Sequence, residues 1–171
     1  MQFKVEHRYR GITLADFETL YFDEAYNEAQ CLAVRLQRTL VARTLQNGRL
    51  HREVKVSPDR EIPPAAQKIL GGARIEYTEH LDYQAGTYRG TWKTISSLLT
   101  DKVLSSGTFS FRQQGDVVVR TLEGTVDVKI MLVGSVVEKF IVADVEKSYQ
   151  QAFEYGQAWI TQGKAIGTPL T

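Results

Sequence analysis

Disulfide chemistry is the first thing this sequence lacks. Cys31 is the one cysteine in 171 residues, so no bridge can form within the chain, and a reducing, cytoplasmic setting is expected. The opening stretch "MQFKVEHRYR" has no apolar core bounded by small residues, so no secretory signal is expected. No apolar run approaches the roughly 20 residues that a membrane-spanning helix needs. Charge of one sign is also missing: the formal net charge is +1, without the basic bias of a dedicated nucleic-acid binder, and nucleic acid is not an expected partner. Catalytic signatures are equally scarce. No Ser/His/Asp or Cys/His arrangement can be assembled from recognisable motifs, and Cys31 sits in a helical stretch with no reactive signature. The "GGAR" at Gly71 precedes a strand rather than a helix, unlike a phosphate-cradling loop. His7, His51 and His80 do not have metal-ligand spacing, so neither a metal nor a cofactor is expected.

What is present is an ordinary soluble composition, 43% apolar and 24% charged, in a length that fits one domain and can bury roughly 70% of its unfolded surface. The first segment alternates: Phe3, Val5, His7 and Tyr9 share one face, and Lys4, Glu6, Arg8 and Arg10 the other, which predicts a half-buried strand. Gly11 breaks it. Thr13 and then Asp23 are placed to cap two short helices, the second through "EAYNEAQCLA". Asn47-Gly48 suits a two-residue hairpin turn between strands near Arg38–Gln46 and Arg49–Val56. Pro58 and Pro63-Pro64 end that ladder, and a short helix is predicted at Ala65–Leu70, closed by Gly71-Gly72.

A long antiparallel run follows. Ile75, Tyr77, Leu81 and Tyr83 alternate, "QAGT" turns the chain into Tyr88, Gly90 and Trp92, and a further strand carries Val103, Phe109 and Phe111. After "QQGD" a last strand spans Val117–Ile130, with Leu122, Val126, Val128 and Ile130 on one face and Glu123, Asp127 and Lys129 on the other. One apolar and one wet face is the antiparallel signature. From Gly134 to Gln162 the period changes to that of a helix, with Val137, Ile141, Val145, Tyr149, Ala152, Gly156 and Trp159 forming an apolar stripe. At about 1.5 Å per residue this helix is about 40 Å long. Residues 1–163 are therefore read as a single domain and 164–171 as a fraying tail.

This order, and above all "EGTVDVKIMLVGSVVEKFIV" after the two small helices, resembles the START/Bet v 1-like superfamily, which includes polyketide cyclases and lipid-transfer domains, in a bacterial branch without assigned function. The resemblance covers almost the whole chain. It implies an α+β helix-grip fold, a curved antiparallel sheet wrapped around a long C-terminal helix, with an apolar cavity between them. It carries over no catalytic residue.

One helix is only about 10–12 Å across, too narrow to fill a broad curled sheet, so bulky side chains or a guest must occupy the rest. Small inward residues (Ser148, Ala152, Gly156, Gly90, Gly107 and Gly124) are read together as making room, or singly as sites of close backbone approach. Tyr77, Tyr83, Tyr88, Trp92, Phe109 and Phe111 on the strands and Tyr149, Phe153 and Trp159 by the helix stripe are core or cavity wall. Four polar residues fall on apolar faces: His7, Arg52, Glu79 and Arg120. A buried unpaired charge costs several kcal/mol, roughly, so each needs a partner, water or a ligand.

In one reading Arg52 or Arg120 meets the carboxylate or phosphate of an amphipathic guest, with Glu79 and His7 completing the polar end; in the other, Glu and Arg pair within the sheet, the side chains are exposed at strand ends, or a one-residue bulge turns them outward. The expected function is binding or transfer of a hydrophobic or amphipathic molecule such as a lipid, fatty acid, sterol or polyketide. A cyclase or hydratase using His7 with Glu79, and a protein-interaction module with a solid core, are the alternatives. Access is expected near "IPPAAQKILGG", where Ile62, Ile69 and Leu70 are candidates for transient contact with a membrane surface.

Overall fold

Alternation does at the N-terminus what periodicity predicts: in β1 (Gln2–Arg10) Phe3, Val5, His7 and Tyr9 are buried and the residues between them exposed. The structure, a computed structural model, describes residues 1–59, 64, 67, 74–97 and 100–170. Two short helices follow, each started by a side chain that accepts an orphan backbone N–H. Thr13 Oγ1 accepts from Asp16 N (3.1 Å) ahead of α1 (Leu14–Tyr21), and Asp23 accepts from Tyr26 N (2.8 Å) ahead of α2 (Glu24–Ala33).

The hairpin of β2 (Leu36–Gln46) and β3 (Arg49–Pro58) turns on Asn47 and Gly48, both with positive φ (+51° and +73°), as a type I′ turn demands. Then come β4 (Tyr77–Gln84), β5 (Arg89–Ser96), β6 (Val103–Gln114) and β7 (Val117–Val128). Ile75 precedes β4 instead of opening it. Of the helix predicted at 65–70 only Gln67, which is helical, is among the described residues, and most of the access segment proposed around it lies outside them.

Every neighbouring pair is antiparallel, in the order β1-β7-β6-β5-β4-β3-β2. The curved sheet and the long α3 (Gly134–Thr161) make a helix-grip fold. The passage from β7 to α3 is abrupt because Gly134 sits against the sheet: a Cβ there would fall 2.4 Å from Val128 O. Glu138, one turn into the helix, accepts from Val128 N (3.0 Å) and ties the helix start to the strand end.

The wet-face expectation for β7 holds only in part, since Val117, Val119 and Thr121 are buried on its outward side. Arg8 and Arg112 flank Val119 in register on either side and are joined by Glu6 (3.2 and 3.5 Å). Long aliphatic stems cover apolar surface while their charged heads stay in water. The tail is tied back where fraying is predicted: Trp159 Nε1 donates to Ala165 O (2.9 Å), and Leu170 packs on the core. No helix among the described residues is long and apolar enough to cross a membrane.

Candidate functional site

A 28-residue helix pressed onto a sheet buries one whole face. In α3 only Gly134, Val142 and Gly156 are buried. The stripe residues Val137, Ile141, Val145, Tyr149 and Ala152 stay half-buried. The helix packs along β1, β7 and α2, so it stands off the strands on the other side of the grip. The space left is a chamber of two lobes, each about 160 Å³. One lies toward α2 and is bordered by Cys31, Arg52, Arg120 and Ala152. The other lies toward the start of α3, between Phe3, Val103, Phe140 and Ile141. Tyr77, Glu79, Trp92, Leu122, Asp144, Val145 and Tyr149 border both.

The glycines do not make this room. A Cβ on Gly90 would fall 2.3 Å from the Phe109 ring, and one on Gly124 would fall 2.5 Å from the Trp92 indole. These two glycines seat aromatic rings flat on the sheet. At Gly107 the obstacle is backbone, Glu123 O at 1.9 Å, and at Gly156 it is Tyr26 Oη at 2.5 Å. Close approach explains all four, which corrects the reading of them as chamber-makers; Ser148 and Ala152 are the small residues that border the hollow.

Of the residues singled out from sequence, Arg52, Tyr77, Glu79, Trp92, Phe109, Arg120, Tyr149 and Ala152 line the chamber. Phe111 packs instead among rings, 5.1 Å from Phe17 and 4.7 Å from Tyr21. Tyr88 sits in the turn before β5 at φ +55°, its N–H on Tyr83 Oη (3.2 Å). Gly156 is closed off by Tyr26, and His7 stacks on Phe153 (4.8 Å) beside β1. These four do not border either lobe. His7 and Glu79 are not brought together, because β1 and β4 are separated by β7, β6 and β5 in the sheet. That removes the geometry for an acid–base pair between them.

Two arginines lie inside. Arg52 is 5% exposed and meets Glu24 (3.4 Å) and Glu79 (3.7 Å). Glu24, the first residue of α2, also holds Arg38 and reaches Arg43 (3.8 Å). Sequence reasoning missed Glu24 and Arg38; the acidic residue next to a helix cap was legible, its reach to three strand arginines was not.

Arg120 is 3% exposed, and among the described residues it has no carboxylate partner within ion-pair distance. Its guanidinium lies over the rings of Tyr149 (4.4 Å) and Tyr21 (5.6 Å), two cation–π contacts. Burial works against its charge, but the surrounding tyrosine oxygens of Tyr21, Tyr9 and Tyr149 outweigh that and hold its pKa above the ordinary arginine value.

Burial, and secondly the Arg120 charge, push His7 down to about 4; it stands neutral and donates from Nε2 to Gln150 Oε1 (3.3 Å). Burial likewise pushes the Cys31 thiol up to about 11, which leaves it a poor nucleophile. Among the described residues four buried side-chain nitrogens lack a partner: His7 Nδ1, Arg52 Nε, Trp92 Nε1 and Arg120 Nε. The last three belong to residues bordering the α2-side lobe, and all three are donors.

A family model described as a protein of unknown function, DUF2505, matches residues 4–160, and the chain belongs to that family. A search of curated proteins finds no significant match. Among solved structures, TTHA0849 from Thermus thermophilus superposes with a TM-score of 0.69 at 12% identity, covering 96% of this chain and 100% of its own. Zhui aromatase/cyclase from Streptomyces sp. R1128 gives 0.59 at 12%, covering 95% of each chain. Norcoclaurine synthase from Thalictrum flavum, in complex with dopamine and hydroxybenzaldehyde, gives 0.63 at 14%, covering 96% of this chain and 90% of its own. The fold is that of the START/Bet v 1-like superfamily.

Proposed function

We propose that this DUF2505 protein binds a small amphipathic molecule: an apolar, ring-sized body within the bilobed chamber and an anionic or carbonyl end at Arg120. The observation that carries the reading is a buried guanidinium without a carboxylate, beside donors that lack acceptors on Trp92 and Arg52. A buried donor left without an acceptor costs about 1–3 kcal/mol, which an acceptor on a guest recovers. The hollow itself works in the same direction. A guest that displaces water from the apolar walls is stabilised by about 25 cal/mol per Å² of apolar area removed from water.

Size selects among guests. A cavity of about 150 Å³ accommodates benzene, so two lobes of this size suit one or two rings, or a short acyl chain, better than a diacyl lipid. That narrows the expectation from sequence toward polyketide-like and other aromatic molecules. The norcoclaurine synthase structure, holding two small aromatic compounds in the same fold, supports this choice. The separation of His7 from Glu79 offers nothing to the cyclase alternative, and the chamber offers nothing to the solid-core one.

The test is calorimetric titration with 2-naphthoate and with uncharged 2-methylnaphthalene. The carboxylate is expected to bind at least about tenfold more tightly, and Arg120→Met to abolish that preference. Failure of both compounds to bind, or a preference that survives Arg120→Met, overturns the proposal. Native mass spectrometry of the purified protein would then identify the co-purifying guest.

A further inference from the structure

The outward face of the β3–β4 ladder, across the sheet from the chamber, carries a second constellation. His51 and Glu53 alternate onto that face of β3, and the register sets His80 opposite Glu53 and Asp82 opposite His51 on β4. Glu53 Oε1 lies 3.2 Å from His51 Nε2 and 3.4 Å from His80 Nδ1. The three potential ligand atoms all lie within 4.8 Å of one another. We propose that His51, Glu53 and His80 form a binding site for a divalent first-row transition ion, zinc by the chemistry of its donors.

Three features support this. Zinc holds nitrogen and carboxylate oxygen at about 2.0–2.2 Å, which places the donors of a tetrahedral site about 3.3–3.5 Å apart; of the separations through Glu53, that to His80 (3.4 Å) falls in this range and that to His51 (3.2 Å) just below it. Two imidazoles and one carboxylate suit zinc and its neighbours, whereas magnesium and calcium take oxygen. The third feature is Asp82, whose Oδ1 lies 2.9 Å from His51 Nδ1. With Nδ1–H donated to Asp82, Nε2 faces Glu53 Oε1. A metal ion seated between them takes the place of the ring proton that otherwise bridges the pair. An aspartate behind a ligating histidine is the usual way such a ring is oriented.

The side chains of His51, Glu53 and His80 are 38%, 31% and 17% exposed, so water can reach the ion and complete its coordination. An ion there ties β3 to β4, the two strands that carry Arg52 and Glu79 into the chamber. Sequence spacing concealed the site, because the chain between Glu53 and His80 does not reveal their register.

The test uses tag-free full-length protein stripped with a chelator and titrated with zinc against a chromophoric competitor, with thermal unfolding followed in parallel. One ion per chain and a rise in Tm are expected. His51→Ala or His80→Ala should weaken binding by about 100-fold or more and remove the Tm rise, and Asp82→Asn should weaken it by about tenfold. Glu123→Gln, an outward carboxylate elsewhere on the sheet, should change nothing. All these side chains are at least partly exposed, and circular dichroism establishes that each variant folds. Zinc that fails to bind, or binding indifferent to both histidine substitutions, overturns the proposal and leaves a surface ion-pair patch.

Discussion

Arg52 on β3 and Arg120 on β7 occupy the same kind of position: each faces inward from a strand of the same sheet, and each is almost wholly buried. Their surroundings differ. Arg52 faces two carboxylates, one from α2 and one from β4, within an ion-pair cluster. Arg120 faces two tyrosine rings, a neutral histidine and a hollow. The first charge is answered by the protein, the second is answered only by induced and fixed dipoles. Paired buried ions are held for structure, and unpaired ones at a cavity mark where an outside partner belongs.

The widest gap between the two should open in stability. Arg52→Met strands Glu79 and weakens the hold on Glu24, and it should lower the unfolding free energy by about 3 kcal/mol in urea titrations. Arg120→Met strands no anion and should stay within about 1 kcal/mol of the parent. Equal losses would erase the distinction.

Acid probes the Arg120 side next. His7 titrates at about 4 in the folded protein and near 6.5 when unfolded, so the unfolded chain binds more protons between those values. The stability is full above pH 6.5 and is lost as pH falls toward 4, by roughly 2–3 kcal/mol. His7→Gln should flatten that part of the profile. Arg120→Met should only reduce it, because burial rather than the arginine is the larger cause.

In ligand binding the ranking reverses. Arg120→Met should weaken 2-naphthoate about 30-fold, roughly 2 kcal/mol, the worth of a hydrogen bond to a charged group. Arg52→Met should cost less than about threefold. An intermediate loss of affinity belongs to Trp92→Phe. It removes a donor without an acceptor together with the ring atoms seated on Gly124, so naphthoate affinity should drop about fivefold and stability by about 1–2 kcal/mol. Calorimetry on the same variants reads both.

Much of this fold was legible along the chain. The alternation of Phe3 to Tyr9, the caps at Thr13 and Asp23, the Asn47-Gly48 turn and the change of period at Gly134 each reappear in the structure. Period two also placed Arg52, Glu79 and Arg120 inside. What it could not supply was distance. The glycines show the limit most plainly, since an absent side chain leaves either a hollow or a seat for a ring, and only Trp92 over Gly124 and Phe109 over Gly90 decide which. His51 and His80 show it again, as ligand geometry created by strand register.

Local chemistry follows from neighbours in the chain, through dihedral preferences, caps and the side on which a side chain emerges, and so the residue order by itself determined the elements and their inward faces. Which inward charge found a partner was decided only by tertiary structure. The α2 helix delivers Glu24 to Arg52, while α3 brings Arg120 a tyrosine ring but no carboxylate within ion-pair distance. Coulombic pairing depends on separations between elements remote in sequence, and those separations exist only once the helix has closed over the sheet.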